Sequence, residues 1–226
     1  MSIKDNLEEV LLDMEKYANK DENPILIAVT KTVDTDRIRE ALDFGIKNIG
    51  ENKPQELKRK YEELGPDINY HMIGHLQTNK VKDLIGKTTL IHSLDRINLL
   101  EEIEKRAEKE NTVMDCLIQI NIAKEEQKSG LYLEDLDSFI QEVEKCKFVK
   151  VKGLMNIATN YDDPEKVRPE FKKMREIFDK LAKENYNNIE MKFLSMGMSH
   201  DYKIALEEGS NMIRVGSKIF GKRNYN

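Results

Sequence analysis

The run Ile25-Leu26-Ile27-Ala28-Val29, ending in Thr30-Lys31-Thr32, decides how the rest of the sequence is read. Five branched or small apolar residues in succession predict a strand buried on both faces, the kind that builds parallel sheets covered by helices. Working outward from it, the same plan recurs. On the N-terminal side, Ser2 caps a helix with Asp5 three residues on, and Leu7, Val10, Leu11, Met14 and Ala18 share one face. This helix precedes the first strand and is an extra, placed on the outside of the sheet or across its bottom. On the C-terminal side, further strands are predicted at residues 46–50, 69–73, 89–93, 113–122, 148–157, 190–195 and 211–215. Helical stretches lie between them, opened by Asp34, Pro54 or Asp95 and closed by Gly45, Gly65 or Gly209. Strand and helix alternating eight times predict an α/β fold, a (β/α)8 barrel with an extra N-terminal helix. An open doubly wound sheet satisfies the same alternation, and periodicity alone does not separate the two. In a barrel, Lys31 stands at the carboxyl rim, where such folds keep their chemistry.

Composition narrows the function classes. The 226 residues, 39% of them hydrophobic, suffice for one large core, and no linker or low-complexity segment divides them, so residues 1–226 read as a single domain. A net charge of -5 with both signs interspersed leaves no basic footprint for a nucleic-acid partner. No apolar segment approaches the roughly 20 residues of a membrane span and the N-terminus lacks a signal-peptide core, which predicts a cytoplasmic protein with no membrane partner. Cys116 falls in a predicted strand and Cys146 near a helix end, with neither metal spacing nor a disulfide framework, so both read as reduced structural thiols.

The last two strands carry a second signal. The seventh ends in Ser195-Met196-Gly197-Met198-Ser199, with Asp201 in the turn that follows, and the eighth in Arg214-Val215-Gly216-Ser217. Small residues at both carboxyl ends let backbone N–H groups approach an anion, and the loops after strands seven and eight are where β/α barrels hold phosphate. If strand eight pairs with strand one, this cradle lies beside Lys31. An amine beside a phosphate cradle suggests a phosphorylated aldehyde held as a Schiff base, which requires a neutral lysine. Arg214, two residues before Gly216 and on the same face, is the cation that favours that state and seeks an acceptor such as a pyridine nitrogen. The structural alternatives are a solvated strand-end Lys31 and an Arg214 in a salt bridge at the barrel mouth.

Taken together, Ala28-Val29-Thr30-Lys31-Thr32, Gly50-Glu51-Asn52, His71 to Lys80, Gly153-Leu154-Met155, Leu194 to Ser199 and Arg214 to Gly221 resemble the pyridoxal phosphate homeostasis protein family, in the family's order from about residue 2 to the end. The resemblance implies a barrel of the alanine racemase N-terminal type, without the added β-domain of the racemases. It implies pyridoxal 5'-phosphate as cofactor, held as a Schiff base on Lys31, with Ser199, Gly216 and Ser217 at its phosphate. Arg214 is implied at the ring nitrogen, and Asn52 and Met196 close to the ring. Thr30, His75, Asn156 and Ser217 depart from the family's commonest residues without removing a group the cofactor needs.

An arginine at the ring nitrogen weakens the ring as an electron sink. The sequence ends a few residues past strand eight, and Tyr70, His71, His75, His92 and His200 are scattered singly with no evident base and orienting carboxylate. The expected role is therefore that of the family, pyridoxal phosphate homeostasis with no catalytic residue and no metal, in a monomer that has apo-enzymes as recipients. Of the histidines, His71 at the mouth end of strand three is the one expected to reach the ring. The enzyme-class alternative is a racemase or decarboxylase-like activity on a small amino acid. A phosphosugar-processing barrel, in which Lys31 attacks a substrate aldehyde, is a second.

Overall fold

The computed structural model describes residues 2–20 and 22–221. Residues 1, 21 and 222–226, which the single-domain reading includes, lie outside that range. The order of elements is α1 (Ile3–Tyr17), β1 (Ile25–Val29), α2 (Thr35–Asp43), β2 (Asn48–Glu51), α3 (Pro54–Leu64) and β3 (Asn69–Met72). A 3-10 segment, Thr78–Asp83, then leads to β4 (Leu90–Leu94), α4 (Ile97–Lys109), β5 (Met114–Ile120), α5 (Leu136–Val143) and β6 (Val149–Asn156). The chain continues through α6 (Arg168–Leu181), β7 (Ile189–Met198), α7 (Tyr202–Glu207), β8 (Met212–Val215) and the single turn α8 (Ser217–Phe220).

The eight strands form a closed parallel barrel in sequence order, with Ile27 of β1 opposite Arg214 of β8 and Ala28 opposite Val215. Closure excludes the open sheet. Alternation along each strand then sorts side chains into two layers. Ile27, Leu90, Leu117, Met155 and Met212 point inward and plug the barrel with apolar contacts. Their neighbours one residue away, such as Leu26, Ile91, Cys116 and Ile213, point outward to the helices.

Helix α1 starts in a capping box, with the Ser2 hydroxyl accepting from the Asp5 N–H at 3.1 Å and the Asp5 carboxylate accepting from the Ser2 N–H at 2.9 Å. Its buried face, Ile3, Leu7, Val10 and Met14, packs against α7, α8 and the outer side of β1 and β8. Of the two positions expected for this helix, the outside of the barrel is the one it takes. It braces the two strands that carry Lys31 and Arg214.

Strand β7 runs three residues beyond the predicted Ser195, and the reason is a bulge. Ser195 stands opposite Met212 but Met198 opposite Arg214, so three steps on β7 match two on β8. Gly197 takes up the extra residue at φ +93°, with a Cβ position that points at Ala205 of α7, 2.6 Å away. The inserted residue reverses the alternation, so that Met198 comes round to the cavity at the barrel mouth while Met196 stays in the outer core. A second close approach explains Gly153, where an added Cβ would meet the Phe193 carbonyl oxygen at 1.9 Å.

Candidate functional site

The segment that carries Lys31 is tied down by a buried charge network behind it. Thr30 donates its N–H to the Gly50 carbonyl at 3.0 Å and its hydroxyl to Glu51 Oε1 at 2.6 Å. Lys60 of α3, with no exposed surface, donates from Nζ to the Thr30 carbonyl at 2.6 Å, to Glu51 Oε1 at 2.5 Å and to Glu56 Oε1 at 3.0 Å. Glu56 also accepts the Thr32 N–H at 2.7 Å. That bond holds Thr32 at φ +64°, a left-handed conformation rare for a β-branched residue. Burial pushes the Glu51 carboxyl up, and the Lys60 ammonium and the Thr30 hydroxyl pull against that shift. The network fixes the backbone on both sides of Lys31, so the lysine leaves β1 in a set direction.

Lys31 lines a cavity of about 370 Å³ at the carboxyl ends of the strands, together with Asn52, Ser199, Arg214, Gly216 and Ser217. That volume lies in the range of small-molecule sites. On its β7–β8 side, Ser199 Oγ accepts the Gly216 N–H at 3.1 Å and the Lys218 N–H at 3.4 Å, which leaves the serine hydrogen as a donor to the cavity. Gly216 is kept bare by contact, since a Cβ there would stand 3.1 Å from Val29 Cβ. Asn52 is brought close in a similar way, because Gly74 leaves room for the Asn52 carbonyl, 2.4 Å from where a Cβ would sit.

Arg214 forms part of the cavity floor at 3% exposure. It donates from Nη1 to Ser195 Oγ at 2.6 Å and from Nη2 to the Asn156 carbonyl at 2.7 Å. Both acceptors are neutral, and among the described residues no carboxylate forms an ion pair with it. The expected alternative of a salt bridge is therefore not what the fold builds. Burial pulls the guanidinium down to about 10, with Asp201 acting on it only through space, so it stays a cation at neutral pH.

Six of the seven residues predicted for the site, Lys31, Asn52, Ser199, Arg214, Gly216 and Ser217, meet on this one cavity. Met196 does not. Its side chain is fully buried in the outer core, and Met198, carried inward by the Gly197 bulge, lines the cavity in its place. His71 is also displaced from its expected position. It lies inside the barrel, with Nδ1 3.0 Å from His92 Nε2 and Nε2 3.1 Å from Asn48 Oδ1, and it does not reach the cavity. His71 and His92 are thus not scattered singly, being neighbours on β3 and β4.

His75, Lys128 and Ser129 line the cavity without having been predicted there. The polar loop 123–130 brings the last two in, because Asn121 binds the Glu125 and Lys128 carbonyls at 2.9 and 3.3 Å and folds the loop back over the mouth. Lys128 is held by Glu125 and the Ala158 carbonyl, and Ser129 Oγ lies 3.0 Å from His75 Nδ1. The same His75 nitrogen is 3.7 Å from Asp95, a base and carboxylate pairing hidden by a separation of 20 positions in sequence. Among the described residues no cluster of three His, Cys, Asp or Glu side chains suits a metal ion, and no helix is long and apolar enough to cross a membrane.

Comparison with known proteins matches residues 3–224 to the family described as alanine racemase, N-terminal domain. A pyridoxal phosphate homeostasis protein of Aquifex aeolicus is 46% identical over 220 residues, 97% of this chain and 96% of the relative. One from Escherichia coli K12 is 36% identical over 88% of this chain and 86% of the relative. Among solved structures, PipY of Synechococcus elongatus PCC7942 with PLP bound superposes with a TM-score of 0.86 at 29% identity, over 97% of this chain and all of the other.

Two outcomes follow from the buried charges. Lys60→Met leaves the Glu51 carboxylate in the interior without its cation and is expected to cost about 3–5 kcal/mol in urea unfolding. Adding Glu51→Gln should recover part of that, and an additive double variant would contradict the coupling. Burial drives His71 down to about 3 and His92 well below its ordinary value. An unfolded histidine titrates near 6.5, so below that pH the unfolded chain binds protons that the folded chain refuses. Stability is therefore unaffected by this pair above about pH 7 and falls as pH drops, by up to ~1.4 kcal/mol per unit for each histidine. Ring C–H NMR shifts of His71 and His92 should stay constant from pH 8 to 5, and a midpoint near 6.5 for either would contradict their assignment.

Proposed function

Since the chain belongs to the pyridoxal phosphate homeostasis protein family, we propose that it holds pyridoxal 5'-phosphate reversibly at the barrel mouth and serves intracellular vitamin B6 and amino-acid/keto-acid balance. The observation that carries this reading is the convergence of three groups on one cavity: the Lys31 amine, the Ser199–Gly216–Ser217 anion cradle, and a buried Arg214 with only neutral partners. The bound group supplies an aldehyde that condenses reversibly with an amine, and a dianion that anchors it.

The residues divide the work. Lys31 offers the amine from a backbone clamped by Thr30 and Thr32. Ser199 and Ser217 donate to the phosphate, and the bare Gly216 backbone lets it approach. Arg214 donates to the ring nitrogen and, as a permanent cation, keeps that nitrogen unprotonated. Asn52 and Met198 flank the ring. An unprotonated ring withdraws electrons weakly, which supports holding and release of the cofactor over turnover. On this reading the protein works in the cytoplasm as a monomer of one domain and passes its load to apo-enzymes.

One observation favours a second reading, a racemase or decarboxylase-like activity on a small amino acid. His75 at the cavity rim, with Asp95 and Ser129 beside it, is an imidazole placed to move a proton.

Lys31→Ala is expected to keep the far-UV circular dichroism of the parent and lose all borohydride-trapped pyridoxal phosphate. The parent should retain pyridoxal phosphate at least tenfold more tightly than pyridoxal, as a phosphate bound by several donors requires. Trapping on the folded variant, or equal retention of the two compounds, overturns the assignment. Exchange of an amino-acid α-proton into heavy water, abolished by His75→Ala, would decide for the enzyme.

A further inference from the structure

Beneath Arg214 a line of hydrogen bonds crosses the barrel interior. Ser195 Oγ, which accepts from Arg214, is 3.1 Å from His92 Nδ1. His92 Nε2 is 3.0 Å from His71 Nδ1, and His71 Nε2 is 3.1 Å from Asn48 Oδ1 at the start of β2. Asn48 Oδ1 also accepts from Asn69 Nδ2 at 3.0 Å. The line therefore joins the cavity floor to the N-terminal face of the barrel. Ser195, His92 and His71 are all buried, at 0%, 0% and 3% exposure, so every donor and acceptor must be satisfied from within the line.

The direction of each bond follows from the end that has no choice. A guanidinium only donates, so Ser195 must present a lone pair to Arg214 and its hydrogen to His92 Nδ1. A neutral His92 that accepts at Nδ1 carries its proton on Nε2 and donates it to His71 Nδ1. His71 then carries its proton on Nε2 and donates to Asn48 Oδ1. The reverse order would leave the Ser195 hydrogen buried without an acceptor, a loss comparable to a missing hydrogen bond. One orientation satisfies all members, and it begins at Arg214.

We propose that Ser195, His92 and His71 are positioning residues for Arg214, a one-way line of neutral acceptors that holds the guanidinium against the ring nitrogen of the bound cofactor without neutralising it. A carboxylate in place of Ser195 would bind Arg214 more strongly and compete with the ring. A serine backed by two neutral imidazoles fixes the guanidinium plane and leaves its charge directed at the cavity. None of the three residues lines that cavity, so their effect on the ligand passes through Arg214 alone. This inference rests on the pyridoxal phosphate reading above.

The test compares pyridoxal 5'-phosphate with its 1-deaza analogue, which has C–H in place of the ring nitrogen and keeps the aldehyde and phosphate. The parent protein should prefer the natural compound by about tenfold or more, the worth of one hydrogen bond from a charged donor. His92→Phe, which strips Ser195 of its acceptor, and Ser195→Ala, a smaller change made in case the first variant fails to fold, should both bring that ratio close to one. His92→Gln can accept from Ser195 and donate to His71, and should restore it. A purely structural role lowers both affinities together and leaves the ratio at the parent value. That outcome in His92→Phe and Ser195→Ala overturns the proposal. A parent protein that binds the two compounds equally overturns it at Arg214, and one that takes up neither overturns the underlying reading as well.

Discussion

The buried contact of Lys60 with Glu51 and the Thr30 carbonyl is the constraint on which the site depends. An ammonium and a carboxylate in the interior are each costly to desolvate, and their attraction offsets that only when the remaining polar atoms are also partnered. Here Lys60 makes three such bonds, and Glu51 Oε1 also accepts from Thr30. Glu51 Oε2 is left without a partner. A methionine and a leucine of similar size would fill the same space at lower electrostatic cost. What the charged version adds is direction, because it ties the end of β1 to β2 and α3 at the residue before Lys31 and, through Glu56, at the residue after it. The left-handed Thr32 is maintained by the same group.

The opposite wall of the cavity is set by different physics. The β8–β1 pairing brings Gly216 against Val29, and only a residue without a Cβ fits that approach comfortably. Helix α1 covers the outer face of these two strands, so Lys31 and the Gly216 turn belong to one packed unit, which limits their relative motion. Arg214 on the floor completes the set. Its positive charge, held by a hydroxyl and a carbonyl, faces the same cavity as Lys31 and Ser199.

Much of this was legible in the chain because parallel barrel strands read as apolar runs, and the run at Ile25–Val29 is of that kind. The β7–β8 wall of the cavity was visible as small residues at two strand ends. Three features were not. The Gly197 bulge depends on how β7 registers against β8: alternation from an inward Ser195 would turn both Met196 and Met198 outward, so neither it nor the resemblance that implied Met196 points to Met198 at the cavity. The contact between His71 and His92 depends on the stagger of β3 against β4. His75 and Asp95 meet only because two mouth loops converge. Lys60 did leave a trace: it falls three residues after Leu57, on the inward face of α3, where a lysine is out of place unless a buried carboxylate receives it.

Placing an amine of the first strand and an anion cradle of the last two on either side of one ring is the central claim, and a crystal structure of the protein grown with pyridoxal 5'-phosphate measures it directly. The account predicts continuous density from Lys31 Nζ to the ring, the phosphate on Ser199, Gly216 and Ser217, and the ring nitrogen within hydrogen-bonding distance of Arg214. Density joined to another lysine, or a phosphate bound away from the Gly216 turn, would contradict it.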